Sequence, residues 1–132
     1  METRSEIIKK LQVFLNDKVN FAYVFGSVAR DQLTDESDID CAVHMKNFGP
    51  GFNKLDFMIA ISSEFSRSVD VIFLNDCDLI ITMQVLTNGI VVVNNDPRMM
   101  IEHKALKSCQ YIDYKMSRKI IEDNLMRGRI YG

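Results

Sequence analysis

Four short runs of β-branched and aromatic residues, 21–25, 38–45, 69–74 and 90–93, are spaced so that each neighbouring pair leaves room for one helix or one tight loop. Such runs read as strands. Between the first two lie a short helical turn at 28–31 and a polar loop at 33–37. Between the second and third lie a turn at 47–53 holding Gly49-Pro50-Gly51 and a helical pattern over 54–66. An amphipathic helix over 4–17 precedes the first strand, with Ile7, Ile8, Leu11, Phe14 and Leu15 on one face and Ser5 as its cap. Another, capped by Asp76 or Asp78, runs through Leu86 and stops at Asn88-Gly89, ahead of a last strand expected at a sheet edge. The order predicts an α/β (α+β) fold, a small mixed sheet of about four strands packed against helices.

The C-terminal quarter is different in kind. Asn95-Asp96-Pro97 reads as a cap followed by a proline in the first helical turn. Helical spacing then persists to about Arg127, with Gly128 as the terminator. One unbroken rod over 96–127 would span roughly 48 Å at about 1.5 Å per residue. A globule of this size is only roughly 36 Å across. The helix must therefore overhang, bend, or split near Ser108-Cys109-Gln110. Ile101, Ala105, Ile112, Met116 and Ile120 are expected to form its core stripe, while Met100, Tyr111, Tyr114, Ile121, Leu125 and Met126 spread beyond it. That is more apolar surface than one small sheet face needs, which points to a partner or a homo- or hetero-oligomer through this segment.

With 132 residues the chain reads as one domain, 1–132, with a core over 20–94 and a helical segment over 96–129. A net charge of −2 argues against direct nucleic-acid binding. Cys41, Cys77 and Cys109 are odd in number and form no C-x-x-C pair, so they read as small core residues in a reducing cytosol. The N-terminus lacks the apolar stretch of a signal peptide and no run is long enough to span a membrane, so a cytoplasmic location is expected. His44 and His103 have no partners at ligand spacing and read as packed or surface residues. Glu64 and Arg67 read as solvated, and the 49–51 turn as a plain turn rather than a lid.

One segment carries chemistry. Gly26-Ser27-Val28-Ala29-Arg30 follows a strand, and Asp38-Ile39-Asp40 opens the next, with Asp70 inside the third. Aspartate is disfavoured in strands. Alternation puts Asp38 and Asp40 on one face, and Asp70 beside them would crowd three carboxylates, which raise one another's pKa. Two divalent cations would hold them ionised, and hard oxygen ligands suit Mg2+ or Mn2+, which also take substrate phosphates as ligands. The Gly26-Ser27 break between a strand end and a helical start can meet phosphate oxygens through free N–H groups and the serine hydroxyl.

These residues resemble the G-S-x-A-R … S-D-x-D signature of the polymerase-β-like nucleotidyltransferase superfamily, over roughly residues 20–75. Length and element order are similar to those of the minimal nucleotidyltransferases, the MntA-type antitoxins paired with HEPN-domain toxins. The resemblance implies the nucleotidyltransferase fold, with Asp38, Asp40 and Asp70 as catalytic residues and ligands of two Mg2+ ions. Asp70 would also help to deprotonate the acceptor hydroxyl. It implies that Gly26 and Ser27 hold the triphosphate of ATP, that Arg30 touches phosphate or forms a structural salt bridge, and that Ser37 orients the loop before Asp38. Where many relatives have glycine after the arginine, this chain has Asp31-Gln32. The implied activity is transfer of AMP from ATP to a hydroxyl, a tyrosine of the cognate HEPN toxin, which is thereby silenced. The alternatives are adenylylation of a small molecule such as an aminoglycoside, and a binding-only antitoxin acting by steric masking.

Overall fold

The computed structural model describes residues 3–34 and 36–131. Met1, Glu2 and Gly132 at the termini and Asp35 in the 33–37 loop lie outside the described residues. Helix α1 (Arg4–Leu15) leads into strand β1 (Val19–Phe25), a single helical turn α2 (Gly26–Ala29) and strand β2 (Ile39–Met45). Helix α3 (Lys54–Ser62), strand β3 (Val69–Phe73), helix α4 (Leu79–Asn88), strand β4 (Ile90–Asn94) and helix α5 (Pro97–Tyr131) complete the order. The sheet runs β3-β2-β1-β4, so β4 is an edge strand as expected. β1 pairs antiparallel with both neighbours and β2 pairs parallel with β3, which makes the sheet mixed.

Strand alternation divides the apolar residues between two faces. Val24, Ile39, Cys41, Val43, Val69 and Phe73 look toward α1 and α3, where Ile7, Leu11, Leu15 and Ile61 are fully buried. Each such aliphatic side chain contributes roughly 1.5–3 kcal/mol by leaving water. Phe21, Tyr23, Ala42, Ile72 and Leu74 look the other way, toward Val85 of α4 and Met100 of α5. The second face is therefore covered by two helices whose stretches over the sheet leave one corner open.

Helix starts follow from short polar side chains. α1 is capped by Thr3, not Ser5: the Thr3 hydroxyl accepts from the Glu6 N–H and the Glu6 carboxylate accepts from the Thr3 N–H. Asp78 rather than Asp76 caps α4, accepting from the Ile80 and Ile81 N–H groups, while Asp76 pairs with Lys54 at 2.6 Å. Gly89 ends α4 with an extended backbone. It is glycine because a side chain there would press on the Val85 carbonyl and on Tyr23. The turn around 49–51 is flanked by Phe48 and Phe52, which pack on Phe73 at the end of β3. Of the three cysteines, Cys41 is buried, Cys77 partly so, and Cys109 is exposed instead of lying in the core.

The long helix departs most from expectation. Of the three outcomes open to it, it does not split near Ser108-Cys109-Gln110; nor does it end at Gly128, but runs as 35 residues to Tyr131, about 52 Å at 1.5 Å per residue. The stripe expected to face the core faces water: Ile101 is 66% exposed, Ile112 56%, Met116 59% and Ile120 59%. The partly buried face carries Met100, His103, Lys107 and Tyr111 instead. Here the two histidines, distant in sequence, come together. His44 stacks on Phe21 at 4.7 Å, and His103 meets His44 edge-on at 5.5 Å. No helix among the described residues is long and apolar enough to cross a membrane.

Candidate active site

Two strand ends and one tight turn build the open corner. Phe25, the last residue of β1, sits opposite Asp40 in the antiparallel ladder, and Asp40 sits opposite Asp70 in the parallel one. Both aspartates thus leave the sheet on the thinly covered face, side by side. Asp40 is partly buried and Asp70 exposed. Burial, then the charges of Asp70 and Asp38, push the Asp40 pKa up; the Asp70 carboxylate within hydrogen-bonding reach raises it further, and Arg30 pulls against them. Together these influences disfavour the charged form of Asp40 beside its acidic neighbours.

Asp38 is near enough to act on Asp40, but it stands one residue outside β2 and is exposed, so strand alternation does not place it. The preceding loop does. The Ser37 hydroxyl accepts from the Thr34 N–H at 2.9 Å, and the Ile39 N–H donates to the Ser68 carbonyl at 2.9 Å. Arg67, expected to be solvated, reaches across and donates from one Nη to the Thr34 and Ser37 carbonyls at 2.9 and 3.0 Å. It is the residue that sequence reasoning missed. Its only local signal is its place, three residues ahead of Asp70 between two serines.

Gly26 closes the corner. Its φ of +67° is left-handed, and a Cβ added there would run into the Asp40 carboxylate oxygen. Glycine is demanded twice, by conformation and by the close approach of backbone to acid. Gly26, Arg30 and Asp40 form one wall of a cleft of about 580 Å³, within the range of small-ligand sites. Arg30 makes no carboxylate ion pair among the described residues and hydrogen-bonds Gln32 at 3.2 Å. Ser27 lies in the adjoining turn, its carbonyl accepting from the Gln32 N–H. Among the described residues, no three carboxylate, imidazole or thiol groups form a ready-made ligand sphere. Asp40 and Asp70 stand together as a pair, with Asp38 close enough to act on Asp40.

Residues 6–98 match the polymerase beta nucleotidyltransferase family. The chain belongs to it. A protein of Methanocaldococcus jannaschii described as a candidate protein adenylyltransferase is 31% identical over 72 residues, 54% of this chain and 72% of that one. Solved nucleotidyltransferase-like chains share the fold. One, from a toxin–antitoxin complex with AMP-PNP, has a TM-score of 0.74 at 22% identity and covers 90% of this chain and 98% of its own. Another, from a tri-AMPylated Shewanella oneidensis HEPN toxin in complex with an MNT antitoxin, has a TM-score of 0.72 at 20% identity, covering 94% and 99%. A third, from an MntA–HepT toxin–antitoxin, has a TM-score of 0.66 at 22% identity, covering 93% and 96%.

The departure from the nucleotidyltransferase signature at Asp31 now has a structural answer. Asp31 adopts φ +55°, the left-handed backbone that glycine takes freely, and aspartate is among the few other residues that tolerate it. The turn after Arg30 therefore keeps a glycine-like path without glycine.

Proposed function

We propose that this nucleotidyltransferase transfers AMP from ATP to a tyrosine hydroxyl of a HEPN-domain toxin in the cytoplasm, and so acts as its antitoxin. The observation that carries this reading is the register of two parallel strands that sets Asp40, on the cleft wall, against Asp70, with Gly26 backbone pressed on the acid. The raised Asp40 pKa is what an acidic donor set shows before a hard cation neutralises it. Asp38, Asp40 and Asp70 would hold two Mg2+ ions. When bound, these supply charge neutralisation of the triphosphate and polarisation of the α-phosphoryl group.

The chain's own residues do the rest. Gly26, lacking a side chain, lets the triphosphate approach the acid corner, and the Ser27 hydroxyl donates to a phosphate oxygen. Arg30, on the cleft wall, offsets the charge. Asp70, exposed and in register with Asp40, takes the proton of the acceptor hydroxyl. The acceptor oxygen bonds to the α-phosphorus, the bond to the β-phosphate bridging oxygen breaks, and pyrophosphate leaves. A cleft open on one side suits an acceptor on a folded protein. The outward apolar stripe of α5, Ile101 to Ile120, supplies a surface on which such a partner can dock.

The test is incubation with labelled ATP, Mg2+ and HEPN-domain proteins, followed by intact-mass measurement. One or more AMP units on a toxin tyrosine, absent with Asp38→Asn/Asp40→Asn, is the expected result. AMP on a small molecule alone, or a toxin silenced equally by the variant with no gain in mass, would overturn it in favour of small-molecule adenylylation or steric masking.

A further inference from the structure

The wall of the cleft opposite the acids belongs to α4. Ile81, Gln84, Val85 and Asn88 recur at i, i+3, i+4 and i+7, so one face of the helix is turned into the cavity. With Phe25 and Ile72 these aliphatic side chains give an apolar slot. Among the described residues, the two carboxamides are the uncharged polar side chains that line it. Both are exposed, and neither has a hydrogen-bond partner among the described residues. Asn88 is the last residue of α4, where asparagine often serves as a cap. Here Gly89 takes the cap position in an extended conformation, and the Gln84 and Asn88 amides are left free for something else.

An apolar slot edged by free carboxamides, continuous with a phosphate-facing wall, fits a nucleobase. A carboxamide offers one acceptor and one paired donor. It matches the N6 amino and N7 of adenine two-for-two, whereas the same edge of guanine presents two acceptors and calls for a doubly donating guanidinium. The one arginine of the cleft, Arg30, stands on the acid wall with Gly26 and Asp40. We propose that Gln84 and Asn88 read the base of the bound nucleoside triphosphate and set its preference for adenine over guanine. This rests on the transferase reading of the same cleft and names its specificity-determining residues.

The experiment is calorimetric binding of AMP-PNP and GMP-PNP, each with Mg2+, to the full chain and to Gln84→Ala/Asn88→Ala. Because both side chains are exposed and free, the variant should keep the fold, checked by its melting temperature. The unaltered protein should bind the adenine analogue at least about tenfold more tightly. The double variant should bring the two affinities within about threefold, chiefly by weakening the adenine analogue. An unchanged ratio in the variant, or no preference in the unaltered protein, overturns the assignment. Failure of the transferase reading looks different: adenine preference would persist with no AMP passed to any acceptor. If neither analogue binds, both readings fall.

Discussion

Acid should loosen the long helix from the sheet through one imidazole. His103 of α5 lies against Phe21 and His44, and both its ring nitrogens are enclosed without a hydrogen bond. Burial first, then the His44 and Lys107 charges, lower its pKa from 6.5 to about 4; the Leu74 backbone opposes them without reaching hydrogen-bond geometry. In the unfolded chain the ring protonates near 6.5, and in the folded one it stays neutral until about 4. The unfolded state thus binds the extra proton within that window, and stability falls as pH falls. The contribution is whole above about pH 6.5 and gone near about pH 4. At about 1.4 kcal/mol per pH unit the full displacement corresponds to roughly 3 kcal/mol, and because the ring is only half-buried, about 1.5 kcal/mol is expected. Urea unfolding of the natural protein and His103→Leu at about pH 7.5 and about pH 4.5 measures it. The many carboxylates titrate alike in both, so their effect cancels in the difference. His103→Leu should lose about 1.5 kcal/mol less across the interval; equal losses would refute the account.

Gly26→Ala should cost nucleotide affinity at least about tenfold, since its methyl displaces the Asp40 carboxylate; titration with AMP-PNP reads this, and unaltered binding would contradict the close approach. Arg67→Ala should raise the Mg2+ concentration for half-maximal AMP transfer about tenfold by releasing the loop that carries Asp38, with Arg67→Lys recovering part of the loss. Asp31→Val should destabilise by about 1–2 kcal/mol because a β-branched residue resists the left-handed backbone, while Asp31→Gly should not, by thermal unfolding. Ile112→Glu/Met116→Glu should abolish complex formation with the proposed HEPN-domain partner in size-exclusion chromatography and leave the melting temperature of the isolated chain within about 2 °C, as both side chains are already wet.

Runs of β-branched and aromatic residues located every strand to within two residues, because such residues fit a pleated, half-buried surface and little else. Asp40 and Asp70 were legible for the opposite reason: acids in such runs break the rule, and their cost points to a use. Arg67 was not legible, since its partners Thr34 and Ser37 are about thirty residues away and only the closed fold brings them near. The α5 stripe was legible as apolar and illegible as to direction. Helical periodicity says that one face avoids water and leaves open whether the chain itself or another molecule covers it. Here α4 and the Phe21–His44 pair occupy the sheet, and α5 meets them with a mixed face of Met100, His103, Lys107 and Tyr111.

Because the Gly26 backbone rests on the Asp40 carboxylate, these two positions cannot drift separately. A larger residue at the first would turn the second out of its place, so the acid would survive in the sequence and be lost from the corner it serves.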